Sequence, residues 1–120
     1  SFGPYTPVSN VGDLYFTAGQ VGVDFSTKTA GADITQQTNK ALDNLAAVLA
    51  TVGLALDDVV KTTVFLTNMD DAAVFNEVYT ARFSGQRPAR SMVAVAELPR
   101  VATNRPLIVE IEAVAAKEQA

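Results

Sequence analysis

Two stretches with helical periodicity, each flanked by β-rich segments, constrain the fold of this chain more than any other feature. The first begins at Asp33, a favourable N-cap that forms a capping box with Gln36, and Gly53 closes it as the C′ residue. The apolar residues of this stretch recur at three- and four-residue steps: Ile34, Ala41, Leu42, Leu45, Val48, Leu49 and Val52. This spacing predicts a helix with a single apolar face.

A second helix is predicted after residue 68, where Asn68 or Asp70 serves as its cap and Ser84-Gly85 ends it. Its apolar face comprises Ala72, Phe75, Val78, Tyr79 and Phe83. The spacing is again helical, so the chain contains two amphipathic helices that each need an apolar surface to pack on.

The segments around these helices are typical of strands. Residues 13–23 predict two short strands joined at a glycine-marked bend, and residues 24–31 predict a polar loop. Further strands are predicted at 59–66, 89–96 and 107–115. The order β-β-α-β-α-β-β indicates an α/β (α+β) fold in which a mixed sheet carries both helices on one face. Nothing divides the chain, so residues 1–120 are predicted to form one domain.

The second face of that sheet is predicted to remain apolar and uncovered. Hydrophobic residues make up 48% of the chain and charged residues only 18%, so few charged residues are available to cover the surface. An apolar face of this kind is usually buried by another copy of the chain, which predicts self-association.

The composition excludes several classes of function. The chain has no cysteine and no histidine, which removes disulfides, thiolate and histidine catalysis, and nearly every zinc, copper or iron site. Its net charge of −4 argues against binding to nucleic acid. The longest apolar stretch, residues 45–56, is too short to span a membrane, and no signal segment is evident, so the sequence predicts a soluble, cytoplasmic protein.

Two charged residues on predicted strands are the best candidates for chemistry. Arg90 follows Pro88 at the start of one strand, and Glu110 lies on the last strand. If these strands are neighbours, both side chains could reach one pocket. An arginine can hold a carboxylate through two hydrogen bonds, and a desolvated glutamate can aim and deprotonate water.

Each candidate also has an ordinary structural interpretation. Arg90 could be a solvated residue at a strand end, and Glu110 could lie on the wet face of an edge strand. Tyr5 could simply pack, Asn76 could be a surface residue, and Gly19 could mark a bulge. The dinucleotide-binding, P-loop and GxSxG motifs are absent, so pattern alone leaves these alternatives open.

Several segments in order along nearly the whole chain resemble one family. The most specific are FTAGQ at residues 16–20, DDVVKTTVFL at 57–66, NEVY at 76–79, PARS at 88–91 and VEIEA at 109–113. With these motifs the chain resembles the RidA/YjgF family of reactive-intermediate enamine/imine deaminases.

This resemblance implies a fold, an assembly and an activity. The fold would be the chorismate-mutase-like YjgF fold, assembled as a homotrimer around a central barrel with the sites in clefts between subunits. The activity would be hydrolysis of 2-aminoacrylate and related enamine or imine acids, released by pyridoxal-phosphate enzymes, to 2-keto acids and ammonia. No cofactor or metal would be needed.

The resemblance also implies roles for individual residues. Arg90 would hold the substrate carboxylate, and Glu110 would position the attacking water. Tyr5 and Asn76 would line the pocket across the subunit interface, and the backbone N–H of Gly19 would face the ligand.

Four features depart from the family pattern. Ala18 replaces a common serine, Met92 replaces a common cysteine at the pocket floor, and the loop at residues 100–106 is long. Arg87 replaces an aromatic residue, which places a second cation either near the entrance or on the surface. These departures keep open a deaminase for a larger pathway-specific imino acid, a non-catalytic carboxylate-binding regulator, and a chaperone-like trimer.

Overall fold

The computed structural model describes residues 3–85 and 87–118. Its helices are α1 (Ile34–Ala50) and α2 (Ala72–Arg82). Its strands are β1 (Val8–Val11), β2 (Leu14–Thr17), β3 (Gln20–Val21), β4 (Val23–Asp24), β5 (Thr29–Ala30), β6 (Val59–Leu66), β7 (Ala89–Ala94) and β8 (Val109–Ala116). Short 3₁₀ turns at Leu56–Asp58 and Met69–Asp71 precede β6 and α2.

The main sheet has the order β1-β2-β8-β6-β7, and β3 pairs with β8 where β2 has ended. Strands β6 and β7 run parallel, joined through α2, and the remaining pairs in this sheet are antiparallel. The predicted mixed sheet is therefore confirmed. A crossover through a helix is what parallel neighbours require, since a tight hairpin cannot join them.

Helix α1 begins where its capping residues predict. Asp33 accepts a hydrogen bond from the N–H of Gln36 at 2.8 Å, whereas the Gln36 side chain accepts from the N–H of Ala32 rather than that of Asp33. The helix ends at Ala50 with Thr51 as its C-cap, so Gly53 lies one position beyond C′ rather than at C′ as predicted. Gly53 has φ +77°, a left-handed conformation that glycine adopts without steric cost, so it turns the chain towards β6.

Both helices pack on one face of the sheet, as predicted. The buried core takes Leu42, Leu45 and Leu49 from α1, and further side chains from α2, β6 and β8. The side-chain amide of Asn44 donates to the carbonyl oxygens of Val21 and Val23 at 2.8 and 2.9 Å, which fixes α1 against β3 and β4. These bonds satisfy a polar group that would otherwise be costly to bury.

The opposite face of the sheet, which we call the open face, is exposed but not uniformly apolar. Leu14, Phe16 and Val93 are 44%, 42% and 43% exposed. The strand registers place Lys61 and Glu112 on the same face, so the predicted apolar surface is interrupted by charges. Exposed apolar side chains on one sheet face are typical of an interaction surface.

Three sequence predictions about local structure are wrong. Residues 24–31 do not form only a loop, because β4 and β5 pair there as a hairpin whose turn contains Lys28 at φ +57°. Strand β1 was not predicted. Asn68 caps the 3₁₀ turn by accepting from the N–H of Asp70, and Asp70 does not cap α2, which starts only at Ala72. These elements are too short for a hydrophobic periodicity to be recognised in the sequence.

Candidate active site

Arg90 is held at the edge of the sheet by neutral groups. Its Nη1 donates to Oδ1 of Asn76 at 2.8 Å, and its guanidinium carbon lies 4.9 Å from the ring centroid of Tyr79 and 5.8 Å from that of Phe75. The side chain is exposed and forms no salt bridge with a described carboxylate. The amide and the rings orient the guanidinium but leave its charge uncompensated, so it can bind an anion.

Helix α2 supplies this support through its buried face. Phe75 and Tyr79, four residues apart, both lie in the core. The hydroxyl groups of Tyr79 and Thr62 share a 2.7 Å hydrogen bond, and burial raises the pKa of Tyr79. The phenol therefore stays neutral at physiological pH and its ring remains fixed beneath Arg90. Sequence reasoning treated Tyr79 as a packing residue and missed this positioning contact.

A pocket of about 370 Å³ opens beside Arg90. Its walls come from α2 and from the segment that leads into β7: Asn76, Tyr79, Thr80, Arg87, Pro88 and Arg90. Met92, two residues after Arg90 on the same face of β7, pairs with Val64 and packs against the core. It does not line this cavity.

Glu110 has a different environment on the central strand β8. Its register partners are Phe65 of β6 and Val21 of β3, and its side chain is half-buried. Burial raises the pKa of Glu110, and the nearby charge of Glu112 raises it further. A carboxylate whose pKa is shifted towards neutrality is a better proton acceptor for water than an ordinary surface glutamate.

Gly19 lies directly against this carboxylate. A Cβ atom built on Gly19 would come within 2.6 Å of the Glu110 carboxyl carbon, so a side chain there would displace it. The pairing with β8 is interrupted at Ala18 and Gly19, between β2 and β3, and the Thr17 hydroxyl accepts the Ala113 N–H at 3.0 Å instead. The break places Gly19, which has no side chain, directly next to the carboxyl group of Glu110.

Tyr5 lies beside Gly19 in a second cavity, an apolar groove of about 370 Å³. The groove runs between the N-terminal strands and the outer face of α1: Tyr5, Pro7, Val8, Gly19, Gln20, Val21, Phe25, Asn44, Ala47, Val48 and Thr51 line it. Tyr5 is 50% exposed. Phe25, which sequence reasoning did not select, lies in the hairpin that was predicted to be a loop.

The predicted site residues therefore form two groups, and the structure separates them. Strand β6 lies between β7 and β8, so the prediction that the last two strands are neighbours is wrong. Arg90 is paired with Thr62 of β6, and Glu110 is paired with Phe65. Positions 62 and 65 point to opposite faces because side chains alternate along a strand. Within one protomer Arg90 lies on the helix side and Glu110 on the open face.

Neither group contains an evident metal centre. In the two described ranges, no three His, Cys, Asp or Glu side chains are grouped so that they could hold a metal ion. Neither α1 nor α2 is long and apolar enough to cross a bilayer.

Comparison with known proteins places this geometry in a family. The family model described as Endoribonuclease L-PSP matches residues 1–117. A RutC family protein from Pyrococcus abyssi is 40% identical over 117 residues, covering 97% of this chain and 88% of that protein. The 2-iminobutanoate/2-iminopropanoate deaminase of Escherichia coli K12 is 38% identical over 120 residues, covering 98% and 90%.

The fold agrees with this result. A crystal structure of E. coli TdcF with bound serine superposes with a TM-score of 0.88 at 36% identity, covering 98% of this chain and 91% of that one. With a family match over almost its whole length and relatives that share both sequence and fold, the chain belongs to the RidA/YjgF family.

Proposed function

We propose that this protein is a hydrolase that deaminates reactive enamine and imine acids of the 2-aminoacrylate type to 2-keto acids and ammonia. The observation that carries the proposal is the combination of an uncompensated arginine with a carboxylate of raised pKa on a chain without histidine or cysteine. Deaminase names among the relatives support the same reaction class. We also propose a cytoplasmic location, where pyridoxal-phosphate enzymes would release such substrates.

The reaction needs little beyond orientation. Protonation of the enamine at its β-carbon by solvent gives an iminium ion, whose carbon is electrophilic. Arg90 binds the substrate carboxylate, and Glu110 accepts a proton from water as the water oxygen bonds to that carbon. Glu110 passes this proton to the nitrogen, the C–N bond breaks and ammonia leaves, and Glu110 accepts the remaining hydroxyl proton as the carbonyl forms. Fixing two reactants in a well-oriented geometry can contribute about 7–11 kcal/mol.

The opposite orientation of Arg90 and Glu110 supports a site shared between copies of the chain. Because a single sheet separates the two side chains, one protomer cannot present both to one small molecule. The exposed open face, with Phe16 and Val93, offers a surface for self-association. We therefore propose a homotrimer around a central barrel, in which Arg90 and Asn76 of one protomer face Glu110, Gly19 and Tyr5 of the next.

Ribonuclease activity, which the family description names, is not what we assign to this chain. A net charge of −4 repels phosphate backbones, and without histidine the usual acid and base for RNA cleavage are missing.

Subunit complementation tests the proposed function and the shared site together. The Arg90→Ala and Glu110→Gln variants are expected to be inactive separately on 2-iminobutanoate generated in situ by amino-acid oxidation. Co-refolded in equal amounts, they should recover about one quarter of wild-type activity, because each mixed trimer restores one of its three clefts.

Three other outcomes are informative. No recovery in verified mixed trimers would show that both groups act from one protomer. A wild-type protein that binds a keto acid through Arg90 without releasing ammonia would instead be a non-catalytic binder. A wild-type protein without turnover or ligand binding, whose Arg90→Ala variant no longer assembles, would favour the structural alternative.

A further inference from the structure

The pocket beside Arg90 contains a second guanidinium. Arg87 lines the same cavity of about 370 Å³, together with Asn76, Tyr79, Thr80 and Pro88. No acidic side chain contributes to this lining. A cavity of this size lies within the range that small-molecule sites occupy, and its charge is that of two arginines.

Arg87 takes part in no ion pair among the described residues. Within residues 3–85 and 87–118, ion pairs join Arg82 to Asp43 and Arg100 to Glu97. In the described part of the chain, the hydrogen-bond and cation–π partners of Arg90 are the neutral Oδ1 of Asn76 and two aromatic rings. Two positive charges that share a cavity repel each other, and an anion with two negative groups removes that repulsion.

The local sequence restricts where Arg87 can be. Pro88 disfavours helical backbone at Arg87 and leads directly into β7, which starts at Ala89. The backbone at Arg87 is thus extended towards the same strand that carries Arg90. Both side chains reach the cavity from the short segment 87–90, in which Pro88 restricts the backbone between them.

We propose that Arg87 directs this site towards imino acids that carry a second carboxylate, such as 2-iminosuccinate and 2-iminoglutarate. Arg90 binds the carboxylate next to the imine carbon, and Arg87 binds the distal one. Arginine suits both tasks because its planar guanidinium matches a carboxylate through two hydrogen bonds. This inference rests on the proposed deaminase function and specifies its substrate class.

The chemistry of the step is unchanged by the second carboxylate. Water adds to the iminium carbon and ammonia leaves as the C–N bond breaks, giving a dicarboxylic 2-keto acid. No oxidant or reductant is needed. The distal carboxylate only binds, so Arg87 should change the affinity for dicarboxylic substrates and leave the rate of the chemical step unaffected.

The test compares two substrates in wild type and in Arg87→Gln. Amino-acid oxidase would generate 2-iminobutanoate and 2-iminoglutarate in situ, with semicarbazide trapping the imine that the protein does not hydrolyse. We expect Arg87→Gln to lower kcat/KM for 2-iminoglutarate by about tenfold or more through KM, and to change kcat/KM for 2-iminobutanoate by less than about twofold. Arg87→Lys should retain part of the preference for 2-iminoglutarate, because lysine keeps the positive charge but cannot form the two parallel hydrogen bonds of a guanidinium group.

Arg100→Gln is the matched control, since it removes the same charge from an exposed arginine that pairs with Glu97 outside this pocket. It should leave the ratio of the two kcat/KM values unchanged. Added salt should weaken the wild-type preference for the dicarboxylate, because exposed ion pairs are screened.

The inference fails separately from the proposed function. If wild type hydrolyses 2-iminobutanoate but Arg87→Gln alters both substrates equally or neither, the role of Arg87 is wrong and the deaminase assignment stands. If Arg100→Gln changes the ratio as much as Arg87→Gln does, the effect reflects net charge and the pocket is not responsible. If wild type hydrolyses neither imine, both proposals are overturned.

Discussion

Two regions of this protein lie in opposite electrostatic environments: the arginine end, which is Arg90 with its supporting residues, and the glutamate end, which is Glu110 with Gly19. Arg90 lies at the edge of the sheet, exposed, and is oriented by Asn76 and the ring of Tyr79. Glu110 lies on the central strand, half-buried, with its pKa raised by burial and by Glu112. The guanidinium group of Arg90 therefore remains hydrated, whereas partial burial disfavours the charged form of Glu110.

The difference follows from what each group has to do. An arginine stays protonated at every physiological pH, so exposure costs it nothing and orientation is all that the fold must provide. A carboxylate in water has a pKa too low for it to be an effective base, so it needs partial desolvation. Under the proposed function, binding and proton transfer lie on separate surfaces of one protomer, and each prediction below alters one of them.

Glu110→Gln should give the largest effect. Replacing the carboxylate by an amide removes the proton acceptor, and general bases contribute about 10²- to 10⁴-fold to turnover. We expect kcat for 2-iminobutanoate to fall within that range while keto-acid binding, measured by calorimetry, is retained. Glu97→Gln, which makes the same change at an exposed glutamate paired with Arg100, is the control. A Glu110→Gln variant with normal kcat would exclude a role in proton transfer.

Arg90→Ala should weaken binding rather than proton transfer. A substrate carboxylate that loses its charged partner in a closed cleft forfeits about 2–5 kcal/mol, so kcat/KM should fall by at least about 30-fold. Arg100→Ala, at an exposed arginine outside the cavity, serves as the control. Unchanged keto-acid affinity in Arg90→Ala would show that another group holds the anion.

Gly19→Ala tests whether the glutamate end depends on position as well as on pKa. The added methyl group would meet the Glu110 carboxyl group and push it aside. A displacement of this kind should lower kcat by about 10- to 100-fold while Arg90-dependent keto-acid binding persists. Gly85→Ala is the control, since a Cβ there meets no atom within 4 Å. Equal losses in the two variants would indicate a general effect on folding.

The smallest expected effect is a pH dependence of stability that the arginine end cannot produce. The pKa of Glu110 in the folded protein lies above its ordinary value of 4.5, so the folded state binds more protons from that pH upward. The free energy of unfolding should therefore decrease as pH rises through this window, and the Glu110→Gln variant should lack that component. Denaturant unfolding at fixed protein concentration measures both. Identical pH profiles would mean that Glu110 is not desolvated.

Sequence reasoning predicted the long elements well and the short ones poorly. The predictions of strand β6 at Val59–Leu66 and of the start of α1 after Asp33 agree with the structure. A long regular pattern or a strong N-cap determines the local structure of such segments. The β4–β5 hairpin was missed since two-residue strands carry no readable alternation. Asn76 and Arg90 were selected separately, and only packing of α2 on β7 shows their hydrogen bond.

The family and the side chains available for catalysis follow from the sequence alone. The chain has no histidine or cysteine and carries PARS and VEIEA in order. It therefore has few groups other than Arg90 and Glu110 that could bind and hydrolyse an imino acid. Whether Arg90 and Glu110 can reach the same ligand depends on the tertiary structure. Strand order depends on long-range pairing that local patterns do not encode, and the insertion of β6 between β7 and β8 puts the cation and the carboxylate on opposite faces of one sheet.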